Sequence, residues 1–486
     1  MTKKALKVTL HPDCMKQLRS YVNQLISLAK CTTDQWEEED PGTGETYLQG
    51  PIIIDFEFDQ RIFDKIVLLL KDIDYVNARE LRDLFETYVR VAFDRVMPEN
   101  AGTFNVSDVV ANDHLDNLKA SLMETLASLP WQYEILIPLI GVALPGDASK
   151  PLHLSKNIKL FKMTEGLRSI EYGVIKDTRN KENSILGIQL GVTIPLLGIT
   201  YLSILSSGFN FSYTTSMSFR NTMRNLKITL ATLIAYGILQ EEHIEPEREL
   251  VLMNPDYEFG LTPNDQECCY VYPKSRVEKP FSLKLPTEDW NFLYRLAMDK
   301  QAYEPSEYDL ALVGRGATST PEARWKNLEA KVSSFRKVLI DDFESGENDE
   351  VERVRAALEW FYEGMANRNA TFSYVQLSIA LEALLGEPFK KKRREQKQKK
   401  EYKGNPEQTE GVVQRLRDRC AYLIADDPNE RRDIMQRLDD AYDVRSKIVH
   451  SGRQILDKED QTPYQDLKQF LMRSLAKEVR LLPNLP

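Results

Sequence analysis

Histidine and cysteine are both scarce in this 486-residue chain, five of each, and their spacing excludes several kinds of chemistry. Cys14, Cys31, Cys268, Cys269 and Cys420 form no Cys-x-x-Cys pair and have no histidine partners at zinc spacing. Neither a disulfide framework nor a structural metal site is expected, and reduced cysteines of this kind fit a cytoplasmic protein. No cofactor signature is present either. The stretch GRGATST (Gly314–Thr320) lacks the Gly-Lys-Ser/Thr ending of a phosphate-binding loop and follows no clear strand, so it reads as a surface loop. The opening MTKKALKVTLHPDC has no continuous apolar region or small-residue cleavage site, and no signal peptide is expected. Long uncharged runs are also rare. The exception, ILGIQLGVTIPLLGITYLSIL (Ile185–Leu205), is long enough to cross a bilayer. Gly187, Gly191, Pro195 and Gly198 punctuate it and β-branched residues recur, which favours two or three short core strands over a membrane span. A membrane-associated sensor is the lesser alternative for that segment.

Excess positive charge is missing too: 64 Lys and Arg against 74 Asp and Glu leave a formal net charge of -10. A chain that coats nucleic acid along its whole length is thereby excluded, because phosphate binding needs concentrated cations. The distribution is uneven, however. KKKRREQKQKKEYK (Lys390–Lys403) places Lys390, Lys391, Lys392, Arg393, Arg394, Lys397, Lys399 and Lys400 in one block. It reads either as a solvated loop or as a tether for an RNA backbone, and Tyr402 alone is too little for a stacking platform.

The length calls for several domains. Residues 1–130 mix an acidic loop, WEEEDPGTGE (Trp36–Glu45), with a helical pattern. In NARELRDLFETYVRVAFDRVM, from Asn77, the residues Leu81, Leu84, Phe85, Tyr88, Ala92 and Val96 recur at steps of three and four, with Asn77 and Glu80 as a capping pair. His11 and His114 stand alone and read as surface or core histidines. Residues 131–345 carry short β-like runs, EILIPLIGVAL and NIKLFKM, and a helix over Phe219–Leu239, which together describe a mixed α/β middle domain. The acidic DDFESGENDE (Asp341–Glu350) reads as a linker. In residues 346–486 strand character disappears: Glu352–Met365, Thr371–Leu385, Thr409–Ala425, Pro428–His450 and Pro463–Leu482 each show helical periodicity. A five-helix bundle is expected there, with a basic insertion at 388–408. The fold class is α+β multidomain: mixed α/β N-terminal and middle regions, then an all-α bundle.

Within that bundle, AYDVRSKIVHSG (Ala441–Gly452) sets His450 five positions after Arg445. Alone, the pair is weak evidence. Arg445 reads equally as a solvated helix residue, and His450 as a residue that favours a helix C-terminus just before Ser451 and Gly452.

The surrounding residues resemble the Apea-like HEPN family of bacterial ribonucleases. The resemblance rests on FSYVQLSIALEALLGE (Phe372–Glu387), RLRDRCAYLI (Arg415–Ile424) and AYDVRSKIVHSG, whose arginine and histidine have HEPN spacing. It is strong over about residues 350–482, suggestive over about 135–350 and absent before. It implies a HEPN endoribonuclease with a role in antiphage defence or abortive infection. The targets would be tRNA or other cellular RNA, and the preceding regions would sense a phage-derived trigger, bind a partner subunit or restrain the effector. It also implies a homodimer, because HEPN nucleases pair two bundles so that both motifs face one cleft. Two departures stand out. Gly452 occupies the position where related toxins have a modifiable tyrosine, and Ser446 replaces the commoner Asn, Asp or His after the arginine.

The chemistry follows from RNA, whose 2′-hydroxyl attacks the adjacent phosphorus once a base takes its proton. Histidine suits that transfer near neutrality, and the planar arginine fork suits the phosphorane charge. His450 is therefore assigned acid/base work and Arg445 phosphate stabilisation, with no metal needed. Ser446, one turn before His450, is placed to orient the imidazole. Glu382 is a supporting polar residue or a surface carboxylate. Asp443 and Tyr442 flank Arg445 as pairing candidates, with packing the better reading for Tyr442. Five residues on a helix turn through about 500°, so the two side chains stand about 140° apart. The alternative from another class is a catalytically silent HEPN module that dimerises and holds RNA as a scaffold.

Overall fold

Helix α1 (Pro12–Leu28) buries Leu18, Val22, Leu25 and Ile26, which recur at steps of one, three and four and so form one apolar stripe. It begins the first of two units in a computed structural model that describes residues 12–39, 46–70, 78–93, 101–127, 131–145, 150–170, 197–208, 217–241, 268–274, 281–299, 320–339, 349–386, 412–453 and 455–482. That unit comprises Met1–Glu134 with Ser206–Asn221 and Pro273–Pro280. Its elements continue as β1 (Lys30–Glu39), β2 (Thr46–Glu57), α2 (Gln60–Leu70), α3 (Ala78–Phe93), β3 (Gly102–Asn105), the short α4 (Val106–Val109) and α5 (Asn112–Ala127). In α3, Leu81, Leu84 and Phe85 are buried as the periodicity predicts, Val89 and Phe93 continue the buried face in place of Tyr88, and the hydroxyl of the partly buried Tyr88 lies 2.6 Å from that of Thr125. Asn77 and Val96 lie outside the described residues.

The three strands form an antiparallel sheet in the order β2-β1-β3. Here the acidic stretch differs from expectation: Trp36–Glu39 end β1, with Glu37, Glu38 and Glu39 opposite Leu48, Tyr47 and Thr46. Backbone pairing does not depend on the charge of the side chains. The register slips between Thr32 and Thr33 and again between Asp34 and Trp36, so no clean alternation marks the strand in the sequence.

The second unit comprises Ile135–Leu205, Thr222–Tyr272 and Phe281–Pro486. Strands β4 (Trp131–Leu139), β5 (Leu152–His153), β6 (Ile158–Lys162) and β7 (Thr200–Gly208) are joined in one sheet by β9 (Cys268–Pro273) and β10 (Phe281–Lys284). The order is β10-β9-β4-β7-β6-β5, and β5/β6, β6/β7 and β9/β10 pair antiparallel. Leu136, Phe161, Met163, Tyr201, Tyr270 and Tyr272 cluster in its core. The end of the long uncharged run is thus a core strand, with Tyr201, Leu202 and Ile204 buried, and its residues 185–196 lie outside the described set. No described helix is long and apolar enough to cross a membrane.

Helix α6 (Glu165–Ile170) follows β6, and α7 (Met217–Ala235) follows β7. The expected helix to Leu239 stops earlier: Gly237 takes a left-handed φ of 59°, and β8 (Leu239–Glu241) pairs antiparallel with β11 (Leu296–Met298) after α8 (Thr287–Arg295). In α9 (Pro321–Ser333) the Thr320 hydroxyl accepts the Ala323 N–H at 3.2 Å, an N-cap at the end of GRGATST.

The C-terminal region contains five α-helices among its described residues: α10 (Asp349–Ala366), α11 (Ala370–Leu385), α12 (Val412–Ile424), α13 (Pro428–Ser451) and α14 (Gln461–Leu481). Asp349 and Glu350 open α10, so the acidic linker ends before them. Helix α11 is apolar nearly all round and packs against α10, α12, α13 and α14, as such a helix must to leave water. The chain is therefore a mixed α/β protein with several sheets and a helical C-terminal region.

Candidate active site at the end of helix α13

Helix α13 is bounded by strong local signals. The Asp427 carboxylate accepts the N–H groups of Asn429 at 2.7 Å and Glu430 at 3.0 Å, Pro428 fills the first turn, and Gly452 ends the helix at φ 64°. The left-handed turn accounts for glycine at that position, since a tyrosine there would be strained. His450 thus sits in the last turn of the helix.

Arg445 is half-buried, and its guanidinium Nη2 lies 2.9 Å from the Glu382 carboxylate on α11. Glu382 is the only carboxylate on that central helix, and there is no Lys or Arg on it. Burial lifts the Glu382 carboxyl above its ordinary range by more than the neighbouring Arg445 charge lowers it. The Arg445 Nε is buried without a hydrogen-bond partner among the described residues, and so is the Tyr442 hydroxyl. Burial first, and then the Glu382 charge, push the Tyr442 phenol up, against the pull of Arg445. Tyr442, Glu382 and Arg445 therefore form one small polar pocket in the bundle.

The structure does not bring every expected residue into that pocket. His450, Ser446 and Asp443 are all exposed, and their side chains make no hydrogen bond or ion pair among the described residues. Ser446 does not orient the imidazole in this state, and Asp443 leaves the pairing of Arg445 to Glu382. Lys390, Lys391, Lys392, Arg393, Arg394, Lys397, Lys399 and Lys400 lie outside the described residues. Their points of attachment are described. The chain leaves α11 at Gly386, one turn after Glu382, and returns at Val412. Arg417 on α12 bonds Asp439 on α13 at 2.8 Å, and the hairpin geometry sets Val412 opposite the turn that carries Arg445.

One positioning residue escapes a motif-based reading. The buried Tyr374 hydroxyl donates to the Ala441 carbonyl at 2.8 Å, the carbonyl that in a regular helix also accepts the Arg445 N–H. Only the packing of α11 on α13 reveals it, because 67 residues separate the two. No group of three or more His, Cys, Asp or Glu among the described residues is placed to hold a metal ion. Comparison of the chain with protein-family models, with curated proteins and with solved structures gives no match.

Proposed function

We propose that the C-terminal bundle is a HEPN-type endoribonuclease in which His450 moves the proton of the RNA 2′-hydroxyl and Arg445 stabilises the phosphorane. The observation that carries this reading is the placement of Arg445: an arginine held half-buried by a single carboxylate on the central helix, five residues before an exposed, unengaged histidine at the helix end. A solvated surface arginine needs no such partner. A phosphate that displaces Glu382 would gain the planar fork, while the exposed imidazole remains accessible to a strand lying across the helix end. The two side chains stand on different sides of α13, so a homodimer that joins two bundles at one cleft supplies the converging geometry. The rest of the chain then senses a trigger, binds a partner or restrains the effector in antiphage defence.

A second reading is favoured by the same ion pair. Arg445 already neutralised by Glu382, beside a histidine without a hydrogen bond, suits a silent RNA-holding or dimerising module. Purified parent, Arg445→Ala and His450→Ala proteins incubated with total RNA separate the two. For the nuclease, loss of His450 lowers cleavage by about 10²–10⁴-fold and loss of Arg445 by about 10²–10³-fold, with secondary structure and oligomeric state unchanged. Equal products from all three proteins would leave only the silent module.

A further inference from the structure

The hairpin of α12 and α13 carries a second cluster of arginines at its closed end, about four helical turns from Arg445. At its closed end the Arg431 guanidinium lies 4.0 Å from the centre of the Tyr422 ring, and Tyr422 remains 64% exposed. One face of the ring is thus held by a cation and fixed in direction, while most of the residue stays open to solvent. Arg419, one turn before Tyr422 on the same side of α12, is exposed and makes no hydrogen bond or ion pair among the described residues. Arg432 contacts only the Asn429 side-chain oxygen, at 2.6 Å.

Most carboxylates near the closed end of this hairpin are committed elsewhere. Asp418 and Asp439 pair with Arg417, Glu430 with Arg473, and Asp433 with Arg437, while Asp427 caps α13. Only Asp426, among the described residues of residues 412–433, is left to set against the guanidiniums of Arg419, Arg431 and Arg432. Three guanidiniums without an ion pair among the described residues thus stand round an exposed aromatic ring.

We propose that Arg419, Tyr422, Arg431 and Arg432 form a single-stranded RNA-binding stripe, in which Tyr422 stacks on a base and the guanidiniums take the flanking phosphates. The identity of the ligand rests on the reading of the chain as an RNA-acting protein, and the stripe itself rests on the hairpin geometry. An acidic peptide would satisfy the guanidiniums but leave the open ring face without a planar partner. A duplex would hide its base faces, so an unpaired strand fits best. Arg431 and Arg445 are fourteen residues apart on α13, about 21 Å along the axis and within about 40° of the same side. A strand anchored at Tyr422 is therefore directed along the helix towards the proposed site.

The test is fluorescence anisotropy of a short fluorescein-labelled single-stranded RNA on the full-length His450→Ala protein, which binds without cutting. Tyr422→Ala is expected to weaken binding about 5- to 100-fold and Tyr422→Phe to leave it unchanged, because the ring and not the hydroxyl makes the stack. Arg419→Gln should lower the slope of log affinity against log salt by about 0.7. Binding that is absent, or that is indifferent to Tyr422→Ala, overturns the stripe, as does an acidic peptide that competes with the RNA in a Tyr422-dependent way. The two readings fail separately: Tyr422-dependent binding without histidine-dependent cleavage sinks only the nuclease, and cleavage without Tyr422-dependent binding sinks only the stripe.

Discussion

At the scale of single residues, the arginine and the histidine of the motif live in opposite environments. Arg445 is tied to the core through Glu382, and the backbone carbonyl one turn before it is also held by Tyr374. His450 is exposed and unengaged. That contrast yields a stability prediction: Tyr374→Phe removes one buried hydrogen bond while the Ala441 carbonyl keeps its helical partner, for a loss of about 1 kcal/mol by urea denaturation. Cleavage should fall with it if the bond positions Arg445. Unchanged stability and unchanged cleavage would make Tyr374 mere filling. The Arg445–His450 spacing was legible in the sequence, whereas Arg445 was expected to pair with Tyr442 or Asp443 rather than with Glu382, and the Tyr374 contact was invisible. Both depend on two helices meeting side by side, which a linear pattern does not encode.

At the scale of elements, the C-terminal helices were the most legible part of the chain, because each combines helical periodicity with turn residues at its ends. Pro428 and the Ser451–Gly452 stop mark α13 on paper and bound it in the structure, where Asp427 adds the N-cap. The N-terminal sheet was illegible for the opposite reason: β1 ends in three glutamates and slips register twice, and β2 contains Gly50 and Pro51, residue types that are depleted in strands. Two predictions belong here. Gly364 on α10 faces α11, where an added Cβ would lie 2.8 Å from two side-chain carbons of Leu377. Gly364→Ala is expected to cost about 1–3 kcal/mol, read from the denaturation midpoint. The second concerns the cap of α13. Two backbone N–H groups hold the Asp427 carboxyl below its ordinary value, so its contribution is fully present above the unfolded-state pKa and is lost as pH falls through the lower folded value. Asp427→Ala should therefore destabilise the protein at neutral pH and cease to do so in acid. A penalty that did not change with pH would contradict the assignment.

At the scale of the whole molecule, the helical region and most of the six-stranded sheet that precedes it belong to one compact unit. Arg224 on α7 pairs with Glu359 and, at 3.1 Å, with Glu352; Lys227 reaches Glu363 at 2.5 Å; and the buried Arg355 bonds Asn225 at 3.1 Å. The Phe292 ring packs edge-on against the fully buried Tyr362 with centroids 5.1 Å apart. A fragment that starts at Asp349 loses Arg224, Asn225, Lys227 and Phe292 and exposes Tyr362, so it should melt below the full chain in calorimetry, and equal melting would refute the coupling. The same continuity joins α7 and α8 to α10 and, through α11, to Glu382 and Arg445. The central claim, that Arg445 and His450 cut RNA, is tested most directly by inducing parent, Arg445→Ala and His450→Ala proteins in cells and mapping 2′,3′-cyclic phosphate ends across total RNA. The account predicts new ends in the parent that vanish in both variants; identical end maps in all three, with the trigger supplied, would contradict it.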